Sequence, residues 1–221
     1  MADSDQQPIK VTDPNALLRV VSRPRFQTYM TAAGHDLDRA WRLYIWNARL
    51  GEAFHFPIQT AEVGLRNCID ATLTQVFGPN WGTAPQFESH IDDRSRDDIA
   101  AVKKRIKNRN QKLENGQIVA GLSFGFWVQM LHKRHYPTIW SQHLSLGFPH
   151  LPSHVDLKAL HGRAGSVNKL RNRISHHEPL IRSNVSQQHA ELLELLGWIC
   201  PETLALCRPH FRVPTVMRQK P

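Results

Sequence analysis

The segment Leu170-Arg171-Asn172-Arg173-Ile174-Ser175-His176-His177-Glu178-Pro179 places a permanent cation a few residues before two imidazoles. Histidine titrates near neutrality, so such a pair of side-chain types suits phosphoryl transfer. One group moves a proton, and a fixed charge stabilises the negative charge that develops on the phosphorus oxygens. Leu160, Ala164, Val167 and Ile174 recur at helical spacing, and position 171 falls on their inward stripe. A lone charge buried there is costly, so Arg171 must be paired or must border a cleft. A plainer reading is a helix C-terminus, stopped by Pro179 and carrying the cations that its dipole favours.

A second polar group, Glu62, Arg66 and Asn67, lies on another apolar helix. Glu62 and Arg66 are four apart, which by itself means a surface pair worth ~0.2–0.5 kcal/mol. They flank the inner stripe set by Leu65 and Ile69, so either a buried network or a cleft wall is the alternative. A third feature is the run Lys103, Lys104, Arg105, Lys107, Arg109 and Lys112, with no acid between Asp98 and Glu114. Its spacing suits either a solvated helix face or a track along an RNA backbone.

The elements that must position these residues are all helical. Asp13-Pro14 reads as a helix start, Pro24 as a restart and Gly34 as a stop. Leu37, Trp41, Tyr44, Ile45 and Ala48 mark one helix from Asp36. Pro57 is expected to break it, with a second helix over 58–77 that ends at Gly78-Pro79-Asn80. A loop is expected over 79–91, a charged helix from Asp92 to Leu113, and one buried helix from Val119 to Lys133. There, Gly121 and Gly125 allow close approach, and Phe124, Phe126 and Trp127 read as core. Ser153 is expected to cap a helix running to His176, and a last helix covers 185–200. No β alternation or hairpin signal is present. The fold class expected is all-α, a single bundle of about six or seven helices. Residues 1–12 read as a flexible tail, 13–207 as the helical domain and 208–221 as a basic, proline-rich tail.

With 221 residues and 41% hydrophobic content, the chain has the make-up of a soluble globular protein with its own core. Lys and Arg number 28 against 19 acids, a net charge of +9 that favours a polyanionic partner. No apolar run approaches the ~18–20 residues of a membrane span. The polar start Met1-Ala-Asp-Ser-Asp-Gln-Gln-Pro8 is unlike a leader peptide. The three cysteines, Cys68, Cys200 and Cys207, suit reduced thiols, and a cytoplasmic location is expected. Cys200, Cys207 and His210 lack a CxxC pair and an evident fourth ligand, so neither a metal nor a cofactor is expected. HExxH, Walker and GxGxxG patterns are absent.

Arg171-x4-His176, with Asn172 directly after the arginine, resembles the RNxxxH form of the Rx4–6H signature of HEPN-superfamily ribonucleases. The wider string through Pro179 is similar to the Abi-like (abortive infection) branch. Two further segments resemble that family in the same order: Ala40-Trp-Arg-Leu-Tyr-Ile-Trp-Asn-Ala-Arg49 with Glu62-Val-Gly-Leu-Arg-Asn67, and Leu122-Ser-Phe-Gly-Phe-Trp127 with Trp140. The likeness covers roughly residues 20–200. It implies a metal-independent endoribonuclease of phage defence or toxin type, in which an RNA 2′-OH attacks the adjacent phosphorus. By the same resemblance, His176 is the proton carrier, Arg171 the phosphate anchor and Asn172 an orienting group. His177 also fits the permitted spacing and is the alternative carrier. Glu62, Arg66 and Asn67 correspond to the family's ExxxRN motif and are implied to line the same cleft. RNA is the partner implied, together with a second copy of the chain and an antitoxin or defence partner. A non-catalytic RNA-binding or protein-interaction module is the competing function. Silencing by nucleotide transfer ranks lowest, since Tyr29, Tyr44 and Tyr136 all lie far from the motif in sequence.

Overall fold

The structure, a computed structural model, describes residues 13–221. The tail expected at 1–12 lies outside the described residues. Those described form an all-α protein with twelve α-helices and no strand. The helices are α1 (Pro14–Val21), α2 (Arg23–Ala32), α3 (Leu37–Phe77), α4 (Pro85–His90), α5 (Asp93–Asn108) and α6 (Asn115–Gly121). They continue with α7 (Phe124–Met130), α8 (Ser141–Gly147), α9 (Leu157–Ser175), α10 (Val185–Ile199), α11 (Pro201–Cys207) and α12 (Val213–Arg218). The helix count exceeds the six or seven expected, because one apolar stretch is divided in two and short helices form where none was expected: α4 inside the loop expected over 79–91, and α8, α11 and α12.

Local chemistry sets most of the ends. Asp36, Asp92 and Asp156 each accept from the backbone N–H three residues on, at 2.9, 3.0 and 2.8 Å. This is the N-cap geometry that satisfies an otherwise orphaned helix donor. Asp156, not Ser153, therefore starts α9. Ser123 caps α7 by accepting from the Phe126 N–H at 3.2 Å. That cap divides the stretch expected as one helix into α6 and α7. Gly121 remains a point of close approach: a Cβ there would lie 2.6 Å from Val102 of α5. Phe124, Phe126 and Trp127 are core residues, each at most 2% exposed.

The main departure is α3, which continues through Pro57 for 41 residues. Proline inside a helix removes a ladder bond and crowds the preceding turn, at a cost of about 3 kcal/mol. Here Pro57 and its neighbours Phe54 and Ile58 are all buried. Tertiary burial of an apolar face outweighs local propensity in such a helix. The result is a spine that α2, α7, α8, α9, α10 and α12 all contact. Its first two turns join Phe26 and Tyr29 in a small apolar cluster through Trp41 and Leu43, and the rest, from Trp46 on, belongs to the main core.

Residues 208–221 also differ from expectation. They are not a loose tail: α12 lies on α3 with Val213 and Val216 buried. The Trp46 indole N–H donates to the Val216 carbonyl at 2.7 Å. The Lys220 ammonium sits 5.3 Å from the centre of the same indole. The segment is proline-rich and basic, yet its few apolar side chains find partners on the spine.

Candidate active site

The cleft is built from two helices that sequence order keeps far apart. On α3, His55, Gln59, Glu62 and Arg66 follow one another at spacings of four, three and four, so all lie along one face. From α9 come Arg171, Ile174 and Ser175. These residues, with Ile58 and Val63, line a cavity of about 310 Å³. Arg171 Nε lies 3.5 Å from Glu62 Oε2, and the two side chains are 37% and 26% exposed. Arg171 thus sits at the margin of its apolar stripe, half-buried and paired across the helix interface. Arg66 adds a second cation and donates from Nε to Asn67 Oδ1 at 3.2 Å. Two guanidiniums and one carboxylate line the cavity and leave it with an excess of positive charge, which suits an anionic group.

The end of α9 determines where the histidines go. The His177 N–H donates to the Ile174 carbonyl at 2.9 Å, and the Glu178 N–H to the Arg173 carbonyl at 2.8 Å. Together these bonds form a Schellman turn, whose first residue past the helix takes the left-handed conformation. That residue is His177, with φ of 55°, in a position where glycine or asparagine is usual. The chain reverses between the two imidazoles. His176 closes the helix, is exposed, and lines neither of the two cavities beside α9. His177 lines a second, larger cleft of about 730 Å³ between α2, α3 and the end of α9. Arg25 of α2 donates to the His177 carbonyl and so ties this turn to the small N-terminal cluster.

Arg173 anchors the segment after the turn. It donates to Ser183 Oγ at 2.8 Å and to the Pro179 carbonyl at 3.0 Å, and its Nε lies 3.4 Å from Glu178. The Leu180 N–H donates to Asn47 Oδ1 of α3 at 2.7 Å. The turn is therefore pinned from both sides.

Of the sequence-predicted residues, Arg171, Glu62 and Arg66 come together in one cavity. Asn67 and Asn172 are exposed and do not line it. His55 and Gln59 do line it, although neither stood out in the sequence. Their signal was their register with Glu62 and Arg66 on one helical face. Tyr29 and Tyr44, remote in sequence, line the same larger cleft as His177.

The basic run occupies α5 and the turn after it. Lys104, Arg105, Lys107 and Arg109 are exposed, while Lys103 lies 3.3 Å from Glu88. Arg105 donates to the Gly121 carbonyl at 3.0 Å and, with Arg109, lines a separate cavity of about 260 Å³. None of the run reaches the Arg171 cavity. Among the described residues, no group of three or more His, Cys, Asp or Glu is gathered as a metal cluster, Cys200, Cys207 and His210 included. No described helix is long and apolar enough to cross a membrane. No protein-family model, curated protein or solved structure matches this chain.

Proposed function

We propose that this protein is a metal-independent endoribonuclease of the HEPN type, in the Abi-like branch, acting in the cytoplasm as a phage-defence or toxin effector. One observation carries the reading. Two motif segments more than a hundred residues apart resemble the family, and the arginine of one lies 3.5 Å from the glutamate of the other in a half-buried cavity. A chance Rx4–6H match has no reason to face an ExxxRN match.

In the proposed reaction, Arg171 and Arg66 hold the phosphate and stabilise the charge that grows on its oxygens. Glu62 orients Arg171 and competes with the phosphate for it, so substrate binding redistributes an existing pair. His176 moves the proton of the 2′-OH or of the departing 5′-oxygen, and Asn172 orients one of these groups. The products are a 2′,3′-cyclic phosphate and a 5′-hydroxyl.

In-line transfer needs both a base and an acid. Within one chain His176 stands outside the cavity, so a two-fold partner completes the site by bringing its own helix end to the cleft. C2 symmetry is the commonest arrangement for such pairs. Val63, which lines the cavity, and Ile45, eighteen residues earlier on α3 and hence on the same face five turns away, are 36% and 39% exposed and offer apolar surface on that face. The RNA partner is favoured by the net charge of +9. An antitoxin or defence-system partner that covers the cleft belongs to the same reading.

The alternative is a non-catalytic RNA-binding or protein-interaction module, favoured by the Arg171–Glu62 pair as a purely structural link. Incubation of pure protein with total RNA and EDTA, followed by end-group analysis, separates the two. The ribonuclease leaves cyclic phosphate and 5′-hydroxyl ends under chelation. Intact RNA, or cleavage that returns only with added Mg²⁺, supports the alternative or a different chemistry.

A further inference from the structure

We propose that the larger cleft beside α9 holds a guanine base flanking the scissile phosphate, selected by the carboxylate of Glu52. The proposal rests on the ribonuclease reading for the position of that phosphate.

Continuity is the first argument. His55, Ile174 and Ser175 line both cavities, so a strand whose phosphate sits at Arg171 passes directly into the larger cleft. Its volume of about 730 Å³ lies within the range of about 300–1,000 Å³ typical of small-molecule sites.

The lining chemistry supplies the second. Phe56 is 41% exposed at this cleft, and its ring is held edge-on by Phe211 with centroids 5.4 Å apart. A fixed aromatic face open to solvent is a stacking surface for a base. Two carboxylates reach the cleft. Glu178 is engaged by Arg173 at 3.4 Å. Glu52 is exposed and has no hydrogen-bond or ion-pair partner among the described residues. An ionised carboxylate only accepts, and it accepts best from two parallel N–H groups. Guanine alone among the four bases presents two adjacent donors, N1–H and the 2-amino group. Adenine and cytosine set a ring-nitrogen lone pair beside their single amino group, and uracil sets a carbonyl on each side of its N–H, so both repel the carboxylate. Asn47 also lines the cleft. Its Oδ1 accepts from the Leu180 N–H, which fixes the amide and leaves its NH₂ to donate to guanine O6.

Guanosine, adenosine, cytidine and uridine 5′-monophosphates titrated calorimetrically into the full chain test the base selectivity, and sequencing of cleavage ends from a random RNA pool tests its position. GMP is expected to bind at least tenfold more tightly than the others, and cut ends to be enriched in guanosine. Glu52→Gln, a surface change on a helix, removes the tenfold preference and leaves the affinity for AMP unchanged. Phe56→Leu keeps an apolar side chain and weakens all four nucleotides alike. Equal affinity for the four, or a GMP preference untouched by Glu52→Gln, overturns the guanine site. RNA cut without any flanking guanosine also overturns it and leaves the ribonuclease reading standing. Glu52-dependent GMP binding with no cleavage of any RNA overturns the ribonuclease reading instead.

Discussion

The Arg171 cavity and the α5 surface are both cationic, but they hold their charge in opposite ways. In the cavity, guanidiniums from two helices converge, one of them on a carboxylate 3.5 Å away, between walls formed by Ile58, Val63 and Ile174. On α5, Lys104, Arg105, Lys107 and Arg109 lie along one helix and its end, exposed to water. Charges that are half-buried and opposed keep their geometry and are weakly screened, so they act on one group at one place. Exposed charges on long side chains are screened and interchangeable, so they raise the local concentration of a polyanion without choosing its position. The difference separates chemistry from attraction, and it can be tested by disturbing each region in turn.

The largest expected effects lie at the Arg171 cavity and the helix end beside it. His176→Ala should slow RNA cleavage by about 10²–10⁴-fold, the usual cost of losing a proton carrier. Arg171→Ala should slow it by about 10²–10³-fold, in line with loss of one charge-stabilising donor. Both variants should keep the wild-type far-ultraviolet circular dichroism, since neither side chain is in the core. A His176→Ala protein with full activity and a dead His177→Ala protein would move the proton carrier into the larger cleft. A dimer mixed from His176→Ala and Arg171→Ala chains should differ in activity from either parent if the site is shared.

The α5 surface should respond to salt instead. Each phosphate contact on single-stranded RNA contributes about −0.7 to the slope of log affinity against log salt. Changing Lys104, Arg105 and Lys107 together to Gln should therefore make that slope shallower by about 2, with little change in the rate at saturating RNA. An unchanged slope would make this helix face a plain solvated surface and leave RNA attraction to the cleft.

Acid should distinguish how firmly the two regions are held. The His135 imidazole is fully buried next to the start of α5, and neither ring nitrogen has a partner among the described residues. Burial, together with Arg134, His90 and His132, pushes its pKa from 6.5 down to about 4, against the opposing pull of Asp92. Asp92, the cap of α5, lies 2.6 Å from Arg134. The Ser95 hydroxyl and backbone bonds, with Arg134, hold its carboxyl at about 2, so it stays ionised throughout this window. The unfolded chain takes up the His135 proton first, so stability contributed here is complete above pH 6.5 and declines as pH falls toward 4. Hydrogen-exchange protection, taken relative to the slower intrinsic exchange in acid, should fall around α4 and the start of α5 before it falls at the cleft. Simultaneous opening of both would show one cooperative unit.

The smallest effect concerns the turn that separates the two histidines. His177 holds φ at 55°, where glycine avoids a side-chain penalty. His177→Gly should raise stability by about 1 kcal/mol, seen as a higher Tm, because the main-chain bond from Arg25 is retained. A loss of stability would show that the imidazole itself holds the larger cleft together.

Much of the fold was legible in the sequence because helix chemistry is local. Asp36 and Asp92 announce helix starts through their own side-chain oxygens, and Gly78 ends α3 at a φ of 88° that favours glycine. Leu65, Ile69, Leu160, Ala164 and Val167 are buried as their spacing requires. Arg171 was legible in kind, since a cation on an apolar stripe needs a partner, and Glu62 is that partner.

Sequence alone thus determined the all-helical class, the ends marked by Asp36, Gly78 and Asp92, and the residue types that any polyanion chemistry must use, because periodicity and capping depend on neighbours within a few residues. Only the tertiary structure decided that α3 runs through Pro57, since burial of the surrounding turn outweighs a local penalty. It alone seated α12 on Trp46, placed His55 and Gln59 beside Arg171, and turned His176 and His177 into different surroundings. Each of these depends on contacts between residues far apart in the chain, or on a turn held in place by Arg25, Asn47 and Arg173 from separate elements. No single stretch of sequence contains both halves of such a contact.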